Sequence, residues 1–478
     1  MKIVKVDART PQHIIDGWGT SLCWWANAAG GWTMLGHSGR EKREELMRLF
    51  FSEEGLDFNI VRYNIGGGDN PDETQHMFHF RGIPCFKASP DSAFEPHADW
   101  RQIWVLNRAY EMRKGDLITE AFVNSPPWWM TKSLCSGGNV RASDENLDRS
   151  RYGEFMEYCA DVLAYIQNDL GIKIDYFDPM NEPASDYWEK GQRQEGNKVN
   201  PGEGQSQLLY AAYEKFRERK LDIAITGTDE TNPKIALDSF RMLSGEVKEK
   251  ILRKINYHHY QTDDEALKEL RQITYPHGFD MPEYNLWMDE VCYGDGDDGY
   301  ALAKNLIAAI HRDLTKAHAN GWVIWQAMDT MSENILNHCH WGLIEGMYQD
   351  KNNNELEGVL DVSSMGFDLG DYVITMQYYV MGHYSKHIKQ GYTILENDGD
   401  EFYCVSAMSP DQKTLIVVLS NDEARNKTVM LDLDGFLPQR AIKIVSDNER
   451  KWDMTELIDR FTHIELGPES IVTLQYKK

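Results

Sequence analysis

No stretch of this chain approaches the ~18 uninterrupted apolar residues needed to span a membrane. The opening "MKIVKVDARTPQHIIDGWG" also lacks an apolar core ahead of a small-residue cleavage site. As written, the chain is expected to be cytoplasmic, and to be secreted only if a leader has been removed. Cysteine is sparse, with seven residues (Cys23, Cys85, Cys135, Cys159, Cys292, Cys339 and Cys404), odd in number and without CxxC spacing. That pattern fits reduced structural thiols in a reducing compartment better than a disulfide framework or a zinc site. Positive charge is short as well: 50 Lys and Arg stand against 76 Asp and Glu, a net charge of -26. Such a field repels polyanions, so nucleic acid and anionic membrane are not expected partners and a neutral substrate is. No GxGxxG follows a strand, and "IGGGDN" (65–70) lacks the Lys-Ser/Thr of a phosphate loop, so its glycines are read as shaping a tight turn.

What the sequence does contain is alternation. Short apolar strands ending in polar residues are followed by amphipathic helices, beginning with "GWGTSLCWW" and "SGREKREELMRLFFSEEG", where Gly55 suits a helix C-cap. "FNIVRYNIGGG", "LITEAFVNSPPWW", "KIDYFDPMNEP", "DIAITGTDE", "INYHHY", "YNLWMDE" and "GWVIWQAMD" continue the series, each with a helix after it. Eight such units read as a (β/α)8 TIM barrel over 16–385, because parallel strands need crossover helices and eight of them close around a packed interior. After about Ile388 the pattern becomes short alternating strands without helices, and "KIVKVDA" at the start has the same character. Residues 1–15 and 386–478 are therefore expected to form a side β-sandwich.

Barrels of this kind carry their chemistry where the strands end. Reading each strand at its last residues collects Trp24 and Trp25; Arg62 and Asn64; Asn124 with Trp128 and Trp129; Asn181 and Glu182; Asp229 and Glu230; His258 and Tyr260; Glu290; and Trp325 with Gln326. Glu182 ends the fourth strand and Glu290 the seventh, so opposite walls can present both carboxyls to one sugar ring. Glycoside hydrolysis needs such a pair, one carboxyl to protonate the leaving oxygen and one to attack or shield the oxocarbenium-like centre. Indoles stack on the apolar faces of pyranoses while amides, Arg and His bond hydroxyls, so the tryptophan-rich rim favours a sugar. Asp229 and Glu230 either reach substrate or cap the next helix. His258 and His259 read as structural rather than as a metal pair, and "GDGDDG" (294–299) fails the calcium-loop pattern, so neither a metal nor a cofactor is expected.

Taken together, "GWGTSLCWWAN", "RYNIGGGDN", "NSPPWWM", "DPMNEP", "QEG" (194–196), "NYHHY", "LWMDE", "GWVIWQ" and "YYVMGHYSKHIKQGY" resemble glycoside hydrolase family 30, in clan A. "GTSLCWWAN" is similar in particular to the branch containing endo-β-1,6-galactanases. The resemblance implies a retaining mechanism with Glu182 as acid/base and Glu290 as nucleophile, and a barrel carrying a β-sandwich built from both termini. It also implies that Asn181 bonds the sugar 2-OH, Arg62 holds Glu290 ionised, Tyr260 donates to Glu290, His258 lines the pocket and Trp325 forms its floor. "ASDYWEKGQRQEG" becomes a substrate loop. The expected substrate is β-1,6-galactan or its oligosaccharides. The alternatives are an exo-acting intracellular β-glycosidase for glucosides, xylosides or fucosides, and a non-catalytic carbohydrate-binding barrel. Loops at 75–100 and 334–361 would decide whether one end of the cleft is closed.

Overall fold

The computed structural model describes residues 2–71, 81–294, 296, 298–330, 340–347, 370–459 and 461–478. The first strand, β1 (Lys2–Ile14), belongs to the side domain. Eight parallel strands then close into a barrel: β2 (Gly17–Ser21), β3 (Ile60–Asn64), β4 (Ile118–Phe122), β5 (Tyr176–Asp178), β6 (Ala224–Glu230), β7 (Leu252–His258), β8 (Asn285–Glu290) and β9 (Gly321–Ile324). Closure is made by β2 pairing with β3 at Gly19↔Ile60 and with β9 at Gly17↔Gly321.

Nine helices are described: α1 (Trp25–Gly30), α2 (Gly36–Phe51), α3 (Trp100–Arg113), α4 (Tyr152–Ala164), α5 (Glu203–Arg219), α6 (Pro233–Met242), α7 (Asp264–Thr274), α8 (Tyr300–Arg312) and α9 (Met376–Ser385). Their starts follow local chemistry. The Asn232 side chain accepts from Ile235 N ahead of Pro233, and Asp263 accepts from Glu265 N and Ala266 N, satisfying amides that a helix start leaves open. On α4 and the turn after it, Phe155, Cys159, Val162, Leu163 and Ile166 recur at helical spacing and bury one face in the main core. Gly55 does not cap α2, which ends at Phe51. Glycine is required there because any side chain would strike the carbonyls of Arg48 and Leu49.

Strand alternation sorts the barrel. Val61 and Tyr63, Ile255 and Tyr257, and Leu286 and Met288 point out to the helices. Ile60, Trp287 and Val323 plug the interior at the strand starts. Above that plug the inward positions turn polar: Arg62, Glu120, Asp178, Lys254, Asn256 and Asp289 are all fully buried. Beyond β9, three short strands, β10 (Met328–Thr330), β11 (Ile344–Gly346) and β12 (Tyr372–Ile374), form a small sheet that the periodicity did not announce.

The side domain consists of β1 with β13 (Thr393–Asn397), β14 (Val405–Met408), β15 (Thr414–Asn421), β16 (Lys427–Asp434), β17 (Arg440–Ser446), β18 (Asp453–Leu457), β19 (His463–Leu466) and β20 (Ser470–Lys477). Its strands join edge to edge in the order β18-β17-β20-β15-β14-β13-β1-β16-β19, with β1 parallel to β16 and antiparallel to β13. The layers are continuous: the sheet bends so that Val429 and Ile464 share a core with Ala441 and Leu474, and Tyr476 OH donates to Phe461 O just before the far edge strand. On β15, Leu415, Val417 and Leu419 face that core, while Ile416 and Val418 join the barrel core. His383 of α9 is clamped between Thr473 Oγ1 (2.7 Å) and Ser446 Oγ (2.9 Å), which fastens the two parts together. No helix among the described residues is long and apolar enough to cross a membrane.

Candidate active site

The strand ends meet around a cleft of about 340 Å³, within the range of small-molecule sites. Glu182 lies four residues beyond β5 and has left-handed backbone (φ 45°), as does Asp229 on β6 (φ 56°). The two are joined by Glu182 N donating to Asp229 O at 2.8 Å. Strain of this kind persists only where surroundings over-determine it. Glu290 is the last residue of β8. One oxygen of each glutamate lies within 4.8 Å of the other and of a His258 ring nitrogen.

Arg62, fully buried in mid-β3, ties the site together. Its Nη1 donates to Glu290 Oε2 and to Asp289 O, both at 3.1 Å, and its Nη2 donates to Asp229 Oδ2 (3.1 Å) and Asn181 Oδ1 (3.4 Å). Its Nε donates to Glu120 at 3.3 Å, and Glu120 also pairs with Lys254. Tyr260 OH donates to the other oxygen of Glu290 at 2.9 Å. His258 Nδ1 reaches Glu182 Oε1 at 3.0 Å and Glu290 Oε1 at 3.5 Å, while Nε2 reaches Asp229 Oδ1 at 3.1 Å.

These contacts set the charges. Burial works against a charged His258, yet Glu290 and Asp229 hold the imidazole well above its ordinary value, so the ring is an imidazolium. Burial likewise opposes ionisation of Asp229, but Arg62 and His258 bring its carboxyl down to about 2. Asp178 and Asp289 are pushed well above the carboxylate range by burial and by the neighbouring Asp229 charge. Burial also raises Glu290, with His258 and Arg62 opposing it. Although Glu182, His258 and Glu290 lie close enough to surround one cation, both ring nitrogens already face carboxylates. A shared proton therefore fits this donor set better than a metal.

Trp24 and Trp325 pack edge to face, with centroids 5.2 Å apart, in the wall of the cleft, and Asn124 and Asn181 line it as well. Asn64 lies beneath the surface, its Nδ2 donating to Glu195 at 3.1 Å. Arg62 and His258 likewise act from below. Three tryptophans from the strand-end reading are elsewhere. Trp25 starts α1, where its ring packs on Phe50 and its Nε1 donates to Ser21 O, so it is core. Trp129 is buried with its Nε1 on Lys87 O, and Trp128 packs partly exposed against the same core. Neither borders the cleft. Asp229 and Glu230 do not cap α6, which Asn232 does. Glu230 accepts from Ala184 N, Gln205 and Ser239, and burial raises it to about 7. The two adjacent histidines diverge, since His259 faces Asp313 at 2.7 Å and Thr262 at 3.1 Å. Asp295 and Asp297 of the acidic turn, Cys339, and positions 75–80, 334–339 and 348–361 of the two loops lie outside the described residues.

Residues not singled out complete the cleft: Tyr187, Trp188, Thr231, Cys292 and Trp341, with Gln194 and Glu195 from the "QEG" segment. Tyr187 and Trp188 follow Asn-Glu-Pro by only a few positions, and Asp289 directly precedes Glu290, so proximity to the motifs was their available signal. A larger cavity of about 980 Å³ opens at the opposite, strand-start end, where Asp57 is already paired with Arg113 and Lys389. The smaller cleft holds Glu182 and Glu290, whereas Asp57 and Asp116 of the larger cavity are both taken up by Arg113.

Residues 1–235 match the model described as O-Glycosyl hydrolase family 30. The chain is 28% identical over 442 residues to the endo-beta-1,6-galactanase of Hypocrea rufa, covering 87% of this chain and 80% of that protein. It is 24% identical to the exo-beta-1,6-galactobiohydrolase of Bifidobacterium longum subsp. longum, covering 88% of this chain but only 34% of that longer protein. Among solved structures, a conserved exported protein from Bacteroides fragilis superposes with a TM-score of 0.79 at 19% identity, covering 99% of this chain and 100% of that one.

Proposed function

The chain is a glycoside hydrolase related to family 30, and on that premise we propose that it cleaves β-1,6-linked galactan or galacto-oligosaccharides with retention of configuration. The observation that carries the mechanism is the approach of Glu182 and Glu290, with oxygens within 4.8 Å of each other. Retaining enzymes hold their carboxyls about 5–5.5 Å apart, whereas inverting ones leave about 6.5–9.5 Å for a water.

Roles follow from charge. Six carboxyls (Glu120, Asp178, Glu182, Asp229, Asp289 and Glu290) share the upper barrel with three cations, Arg62, Lys254 and His258. Asp178 and Asp289 keep their protons. Glu290 ends β8 with Arg62 on one oxygen and Tyr260 on the other, which suits the nucleophile, and Glu182 on the opposite wall is left as the acid/base. In the first half-reaction Glu290 attacks C1 as the C1–O bond breaks, and Glu182 protonates the departing oxygen. In the second, Glu182 takes a proton from water as its oxygen attacks C1 and Glu290 leaves. Asn181, its amide oxygen held by Arg62, turns its NH2 to the sugar 2-OH. Trp24 and Trp325 supply faces for the ring.

The galactan assignment is supported by the two β-1,6-galactan-active relatives, one named as endo-acting and one as exo-acting. Two experiments test the reading. Glu290→Gly should abolish hydrolysis of an aryl β-galactoside and, with azide, give the α-galactosyl azide; full activity in that variant removes Glu290 as nucleophile. On β-1,6-galactan, galactobiose with longer products indicates endo attack, a single released product indicates exo attack, and no release moves the substrate to another β-glycoside.

A further inference from the structure

The loop after Glu182 is fastened far more heavily than a substrate loop needs to be. Lys198 Nζ ties its two ends, donating to Ala184 O at 2.9 Å and Asp186 Oδ1 at 2.6 Å. Trp188 Nε1 donates to Glu182 O at 3.1 Å, and its ring lies so close over Gly196 that any side chain there would strike it. Against this anchored indole Tyr187 stands edge to face, with centroids 4.6 Å apart. The fastening aims one group: Tyr187 OH donates to Glu182 Oε2, with Thr231 Oγ1 3.4 Å from the same hydroxyl. His258 holds the other oxygen, Oε1, at 3.0 Å. Both oxygens of the proposed acid/base are therefore gripped, one from the barrel interior and one from the cleft rim, where Tyr187 is 41% exposed.

We propose that Tyr187 is a positioning residue for Glu182, whose phenol fixes the carboxyl against the leaving-group oxygen and stabilises the carboxylate formed when the proton is given up. This rests on the assignment of Glu182 as acid/base. Burial and the adjacent carboxyl raise the phenol well above its ordinary range, so it remains a donor at working pH. The other titratable groups facing Glu182 are His258 and Tyr260 from β7 and the turn after it, Glu290 and Cys292 from the end of β8, and Glu230 from β6. None of them contacts Oε2, and a phenol lost there is not replaced by its neighbours. In the first half-reaction the proton passes from Glu182 to the glycosidic oxygen, and the Tyr187 hydroxyl then bonds the resulting anion. In the second, it keeps that anion in line with the water from which it takes a proton.

The test pairs Tyr187→Phe, which keeps the ring on Trp188, with two aryl β-glycosides that the wild type cleaves, one with a good leaving group and one with a poor one. For the poor leaving group, kcat/KM should fall about tenfold, because departure needs an aligned acid. For a dinitrophenyl glycoside, which departs without a proton, the first step should change less than about twofold. The basic limb of the kcat/KM profile should move up by about one pH unit, since a donor that favours the carboxylate has gone. Thr231→Val, which removes the hydroxyl beside the phenol, should give a smaller loss of the same pattern and covers a failure of Y187F to fold. Equal losses on both leaving groups, or an unmoved basic limb, overturn the proposal. Glu182→Ala with azide checks the premise separately: β-glycosyl azide leaves the acid/base assignment standing, and its absence removes both.

Discussion

His258→Gln is the sharpest probe of the buried charge system. The side chain is fully buried, with nitrogens 3.0 Å from Glu182 and 3.1 Å from Asp229. Glutamine keeps a donor but removes the positive charge, leaving Asp229 and Glu290 with Arg62 alone. Losing one partner of a buried ion pair costs about 3–5 kcal/mol, a large share of the roughly 5–15 kcal/mol by which a folded protein is stable. At about 2 °C per kcal/mol for a chain of this size, Tm should drop by roughly 6–10 °C. The pH dependence has a definite sign. The folded-state value of His258 is raised, so its contribution is complete below the unfolded value of about 6.5 and is lost as pH rises through the higher folded value. Asp229, held at about 2, keeps its charge through moderately acid pH. The gap between wild type and H258Q should therefore be widest between about pH 4 and 6.5 and should narrow in alkali. In kinetics, the acid limb of kcat/KM should rise by about one unit, because Glu290 has lost one of the two cations opposing its burial. Melting curves and pH–rate profiles on an aryl β-galactoside measure both effects. A variant with wild-type Tm at pH 5 and an unmoved acid limb would show that His258 is neutral and that the charge assignment is wrong.

Arg62→Lys keeps a charge but loses the fork that reaches Glu290, Asp229 and Asn181 together, so kcat should fall about a hundredfold in steady-state assays. Trp325→Ala removes one of the two packed indoles in the cleft wall; KM for galacto-oligosaccharides should rise about tenfold, with a smaller change in kcat. Trp25→Ala should behave oppositely, costing about 3–5 kcal/mol of stability by denaturation while kcat/KM of the folded enzyme is unchanged, because its ring is core packing on Phe50. Gly196→Ala pushes Trp188 from its seat; a loss of about 1–3 kcal/mol should come with a drop in kcat, read by melting and initial rates.

Much of this was legible because barrel strands announce their ends. "LWMDE" stops at Glu290, "DPMNEP" carries Glu182 four residues past its strand, and the cleft forms just beyond those strand ends. The face to which a strand-end residue turns was not legible. Trp24 and Trp25 are neighbours in sequence, yet one meets Trp325 in the cleft and the other turns onto Phe50, because the second already belongs to α1. The three-residue strands β10–β12 are too short to show periodicity. The "LIVVL" of β15 reads as an unbroken apolar run because the strand is buried on both sides, its own core on one and the barrel on the other.

The mid-strand charges were the least visible element and bear most on the chemistry. In "ITEAF" and "RKINYH", Glu120 and Lys254 look like solvent-facing positions of alternating strands, and only closure of the barrel turns them inward. There Lys254 sits over the Trp287 ring at 3.4 Å and pairs with Glu120, which in turn bonds Arg62. A hydrophobic layer at that level would be the cheaper way to fill a barrel, since buried ion pairs return little net stability over well-packed apolar residues. What the polar layer supplies is a fixed count of charge beneath the cleft. Within it, burial keeps Asp178 and Asp289 protonated, while Arg62 and His258 hold Asp229 ionised. Removal of Lys254 or Glu120, neither of which lines the cleft, should thus change the pH range of catalysis as well as stability, whereas replacing an apolar plug residue such as Val323 should change stability alone.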